Sequence, residues 1–245
     1  QPTGRDPIAN VVAIPDADQN PEALAGLDNG TAPEAQFARR LAEAGCQVLV
    51  PTMINRTIRA FSPRRKNIRM SNREFLHRSA FLMGRTLQGY EIQKILAAVD
   101  WFSKHSDKSI GLVGWGEGGM LTLRTAALDS RIAVSLVSGY LGAMKTMWKE
   151  PLERNVFGLL QHFDDGVLAR LIEPRTLIIE AARGPEIVID SYGAAPGSLT
   201  TPKLSDIRKT YLDKHIFLSN PSGNGNPGTS KALDTFIQAL VLGKH

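Results

Sequence analysis

The stretch "IGLVGWGEGGML", residues 110–121, constrains the fold of this chain more than any other. An apolar run from Ile110 to Val113, with Gly111 inside it, meets Gly114-Trp115-Gly116-Glu117-Gly118-Gly119, and an apolar segment of helical character follows. The pattern predicts a strand, a tight glycine turn and a helix that starts hard against the strand's end.

The rest of the chain repeats that alternation. "NVVAIP" (10–15), "QVLVP" (47–51), 109–114, "RIAVSLVS" (131–138), "TLIIEA" (176–181) and "HIFLSN" (215–220) read as strands. Helices are predicted near 33–44, from about 72, and over 88–104, 118–128, 204–213 and 229–242. Thr31 and Glu34 stand in capping-box spacing before the first of these, with Pro33 in its first turn. Ser71 and Glu74 do so before the second. Ile92, Ile95, Leu96, Val99 and Phe102 recur at helical spacing over 88–104. Strands separated by helices imply an α/β fold: a doubly wound, mainly parallel sheet of about six strands in three layers, with right-handed crossovers. Its 245 residues suit one α/β domain spanning 1–245, with membership in a larger polypeptide left open. In such sheets ligands gather at the carboxyl ends of the strands, so the loops after the strands are where a site is sought.

Composition narrows the partners. An apolar fraction of 42% and a charged fraction of 22% are ordinary for a soluble globular protein, and no run approaches the length of a membrane span. Cys46 is the single cysteine, which excludes an internal disulfide and a multi-cysteine metal site, and its setting predicts a buried small residue. The net charge of +5 is concentrated between Arg56 and Arg73, where seven basic residues occur with no acid. A long solvated loop is the expectation there. Phe61 is the only aromatic available to stack on a base, so nucleic acid is not expected as a partner. No signal peptide is evident and the chain opens on Gln1, so the N-terminus is expected to be processed or cut, with export left open.

The strand ends supply several candidate site residues. Glu117 follows the glycine turn, Asp16 and Asp18 follow the first strand, and Glu186 follows the fifth. Four carboxylates in one cleft have the chemistry for a divalent cation or an acid–base pair. The plainer expectation is loop geometry, with Asx-turns in "PDAD" and Glu117 at a helix N-terminus, so no metal or cofactor is assigned. Trp115, Ser138, Tyr140 and Arg183 are the other candidates for a pocket, Arg183 with an ion pair to Glu186 as its plainer role. His162 and Asp164 lie between the fourth and fifth strands, a common place for a lid.

The segments "MGRTLQGYEIQKILAAVDWF" (83–102), 110–140 and "IEPRTLIIEAA" (172–182) resemble the α/β-hydrolase superfamily, and within it the acetyl xylan esterase and dienelactone hydrolase-like group. The resemblance implies a nucleophile elbow, Gly-x-Ser-x-Gly-Gly, at 114–119. The elbow aims a nucleophile and presents a backbone N–H to an oxyanion. Gly116 stands at the serine position. The acid of a triad would follow residues 176–181, where Glu180, Glu186 and Asp190 occur and Glu186 is best placed. The histidine would follow the last strand, and residues 220–230 contain none. With two of three triad positions empty, the resemblance implies a fold carrying a degenerate site. Two alternatives stay open: an ester hydrolase acting on a carbohydrate or small ester through residues such as Glu117, or a module that binds a ligand, a protein or further domains of its own polypeptide.

Overall fold

The structure is a computed structural model that describes residues 6–60, 68–140, 144–189, 193–201, 203–210, 215–220 and 230–242. In chain order its elements are β1 (Asn10–Ile14), α1 (Pro21–Ala25), α2 (Phe37–Glu43), β2 (Gln47–Leu49), β3 (Ile58–Ala60), β4 (Arg69–Ser71), α3 (Asn72–Leu82) and α4 (Leu87–His105). They continue with β5 (Ile110–Trp115), α5 (Glu117–Leu128), β6 (Ile132–Ser138), α6 (Leu159–His162), α7 (Asp165–Ile172), β7 (Thr176–Ala181), β8 (Ile187–Ile189), β9 (Gly197–Leu199), α8 (Leu204–Thr210), β10 (Ile216–Ser219) and α9 (Ser230–Leu242). Short 3₁₀ turns lie at Pro33–Ala35, Met144–Lys149 and Leu152–Arg154.

Six strands form one parallel sheet in the order β10-β7-β6-β5-β1-β2. Successive side chains of a strand point to opposite faces, so a sheet covered on both sides needs apolar residues at every position. β1 shows this directly. Val12 and Ile14 join the core beneath α4, α5 and α7, with Ile95, Phe102, Leu121 and Ile172. Val11 and Ala13 join the opposite core beneath α2 and α9, with Phe37, Leu41, Phe236 and Leu240. This is the three-layer, doubly wound arrangement that the alternation predicts.

Ser71 caps α3 as expected, its Oγ accepting from the Glu74 N–H at 3.0 Å. The Thr31 capping box does not form. The segment breaks into a 3₁₀ turn and then α2, because Gln36 (φ −82°, ψ 52°) leaves the helical region and donates its side-chain amide back to the Thr31 carbonyl at 2.8 Å. Two short antiparallel hairpins, β3–β4 and β8–β9, were not expected; each strand has three residues, too few for a periodic signal. No helix among the described residues is long and apolar enough to cross a membrane.

Candidate functional site

β1 and β5 are neighbours in the sheet, but the chain leaves them in opposite directions, toward β2 on one side and β6 on the other. That reversal opens a crevice at the carboxyl ends of the two strands. Asp16 lies just beyond β1, and Gly116 and Glu117 lie at the end of β5. Gly116 adopts φ 60°, ψ −119°, a backbone region that costs a residue with a Cβ about 1–3 kcal/mol. Gly118 is needed for a different reason. A Cβ there would stand 2.1 Å from the Ile14 carbonyl oxygen, so only glycine lets α5 begin against β1.

The crevice is filled from within. One oxygen of Asp16, Oδ1, accepts the backbone N–H of Glu117 at 2.8 Å, and Oδ2 accepts the N–H of Asp18 at 3.2 Å in an Asx-turn. Asp16 therefore caps α5 from a different segment of chain, with its negative charge at the positive end of the helix. Its own N–H donates to Gln19 Oε1 at 3.0 Å. A Cβ at position 116 would lie 2.6 Å from Asp16 Oδ1 and 2.8 Å from Pro185 Cδ. The volume into which an elbow side chain would project is thus occupied.

Behind Asp16 lies a buried cluster of charge. Arg56 donates to both oxygens of Asp16 (2.5 and 3.2 Å), to Asp18 at 3.0 Å and to Glu117 Oε2 at 3.3 Å. Arg73, wholly buried, grips Glu91 with two bonds (2.7 and 2.9 Å) and reaches Glu117 Oε1 at 2.8 Å. Arg154 approaches Glu117 Oε2 at 3.3 Å and pairs with Glu150 at 3.1 Å. Burial pulls the pKa of Glu117 upward, and the guanidinium charges of Arg73, Arg154 and Arg56 more than reverse it, holding it down at about 2. Both oxygens of this carboxylate are engaged and the residue is 1% exposed. It is a fixed counter-ion with almost no basicity.

These contacts correct one expectation and bear on another. Arg56 and Arg73 belong to no solvated loop, because both are buried among acids drawn from distant segments, whereas Arg59 and Arg69 are exposed as expected. Arg64, Arg65, Lys66 and Phe61 lie outside the described residues. The plainer expectation of loop geometry holds for Asp16, whose Oδ2 closes the Asx-turn, while Asp16, Asp18 and Glu117 also converge on the Arg56 guanidinium. Glu186 stays apart. It is about half exposed and lies 3.6 Å from the equally exposed Arg183. Among the described residues no group of histidine, cysteine, aspartate and glutamate side chains is arranged to hold a metal ion.

The remaining candidates have structural partners. Ser138 is fully buried and donates to Glu180 Oε2 at 2.6 Å, so it lines no open cleft. Tyr140, also buried, donates its hydroxyl to Asp165 Oδ2 at 2.9 Å. The partly exposed Trp115 donates its indole N–H to the Arg183 carbonyl at 2.9 Å. His162 is exposed on α6, and Asp164 caps α7 by accepting from the Val167 N–H at 2.7 Å. Asp190 and residues 221–229 lie outside the described residues. The sequence did hold one overlooked signal of the charge cluster. Glu91 sits on the buried stripe of α4 with Leu87, Ile95 and Phe102, and an acid on such a stripe requires a buried partner.

No protein-family model matches this sequence, and no curated protein does. Solved structures do resemble it. A protein from Bacteroides fragilis assigned as an acetyl xylan esterase matches over 91% of this chain with a TM-score of 0.58 and 17% identity. A glucuronoyl esterase from Solibacter usitatus matches over 99% (TM-score 0.53, 12% identity, 76% of its own length). Est1E from Butyrivibrio proteoclasticus matches over 98% (TM-score 0.53, 13% identity, 88% of its own length). This chain spans 61% of the Bacteroides protein. The fold is α/β-hydrolase-like, with carbohydrate and other esterases among its structural neighbours.

Proposed function

We propose that this chain is a non-hydrolytic α/β-hydrolase-fold module whose role is binding. One observation carries the reading: the carboxylate of Asp16 takes the Glu117 N–H that an elbow would offer to an oxyanion, and fills the space a nucleophile at 116 would need. An ester oxygen that develops negative charge would meet a carboxylate there, so the crevice opposes the charge it would have to stabilise. Glu117 is a poor substitute base, because its pKa is held at about 2 and three arginines saturate it. Ser138 spends its proton on Glu180. The neighbours named as carbohydrate esterases make carbohydrate esters the first ligand class to try.

The experiment is labelling with a fluorophosphonate, which phosphonylates activated serines, read by intact-mass spectrometry. The folded chain is expected to keep its unmodified mass, and so is the denatured chain exposed to the same probe. A single stoichiometric adduct that forms only on the folded chain would contradict the reading.

A further inference from the structure

A second cavity lies away from the crevice, on the flank of α5 where α4, α7 and the segment carrying α6 meet. It encloses about 300 Å³, the small end of the range for small-molecule sites, and Ile92, Ala127, Val156, Leu159 and Leu168 supply its apolar walls. Arg124, 5% exposed, lines it from the middle of α5. Its Nε and Nη1 are sealed from solvent and meet no hydrogen-bond partner among the described residues. The nearest acids do not satisfy it. The Asp165 carboxylate feels its charge but takes the Tyr140 hydroxyl, and Glu150 pairs with Arg154. Gln88, at the same wall, also leaves its Oε1 without a donor.

A buried guanidinium with idle donors is costly unless something else neutralises it. We propose that the cavity is a binding site for an amphiphilic monocarboxylate, a medium-chain fatty acid, whose carboxylate meets Arg124 and whose chain lies along the apolar walls. A carboxylate matches the single positive charge, and charge-assisted bonds to guanidinium are the strong kind. The rim continues the apolar track outward through Leu128, Phe163 and Leu171, each 41–69% exposed, so the chain's far end has a surface to follow. Arg124 is seven residues beyond Glu117, about 10 Å along the helix, so this site lies apart from the crevice, although its charge also reaches Glu117.

The test is calorimetric titration of the folded chain with decanoate and, separately, decan-1-ol, which has the same tail and no charge. Wild type is expected to bind decanoate saturably at one site, and the Arg124→Met variant at least about tenfold more weakly. The same variant should bind decanol as wild type does. Ala127→Trp, which fills the cavity one turn away and keeps Arg124, should lose both ligands. Retained decanol binding together with a cooperative thermal melt of Arg124→Met separates lost binding from lost folding. No saturable binding of decanoate by the folded wild type up to about 1 mM, or equal affinity in Arg124→Met, overturns the proposal.

Discussion

Replacing Glu117 by glutamine removes one charge from the centre of the buried cluster while keeping the side chain's size. Two lines of reasoning give its cost. A carboxyl whose pKa falls from 4.5 to about 2 on folding contributes about 3 kcal/mol of stability at neutral pH. Independently, breaking a buried ion pair by removing one partner costs about 3–5 kcal/mol, because the surviving charges are left uncompensated. Here three arginines would share the loss. The expected penalty is about 3 kcal/mol, or roughly 6–12 °C in Tm for a chain of this size. The sign with pH follows from the depressed pKa. Glu117 stabilises the fold fully above its unfolded value, and the contribution drains away as pH falls from about 4.5 toward 2. Urea unfolding followed by tryptophan fluorescence at several pH values between 7 and 3 measures this. The gap between wild type and Glu117→Gln should be widest at pH 7 and narrow steadily through pH 4 and 3. A gap under about 1 kcal/mol at pH 7, or one that does not change with pH, refutes the reasoning.

Other expectations are simpler to check. Gly116→Ser should fold but melt lower than wild type, because a Cβ at φ 60° brings strain of about 1–3 kcal/mol and also meets Asp16 Oδ1 at 2.6 Å; a melting temperature equal to wild type would mean the crevice is open. Cys46 is fully buried and desolvation pushes its thiol pKa up to about 11, so Ellman's reagent at pH 8 should leave it untouched until denaturant is added. Stoichiometric reaction in native buffer within minutes would show that the packing of Cys46 beneath α2 is wrong.

The sheet was readable because burial on both faces writes its strands as short continuous apolar runs. Thr176–Ala181 agrees with its predicted span residue for residue, and the other strands and the long helices agree within one or two residues. The glycine turn was readable for the same kind of reason, since its backbone tolerates few alternatives. The charge cluster was not. Arg56, Arg73, Glu91, Glu117 and Arg154 come from five separate segments, and nothing local to the basic stretch 56–73 says that acids elsewhere will bury two of its arginines. For Glu186 the plainer expectation, an ion pair with Arg183, is the one found. Position along the chain does not tell which way a loop side chain points, and this one is about half exposed.

The most direct test of the central claim, that the chain's own carboxylate closes the elbow, is steady-state hydrolysis of p-nitrophenyl acetate by wild type, Glu117→Gln and Gly116→Ser. All three are expected to match buffer, including the variant that restores a hydroxyl at 116. Saturable turnover by wild type, and above all turnover that falls with Glu117→Gln, would show that chemistry runs through a carboxylate that this account treats as a fixed counter-ion.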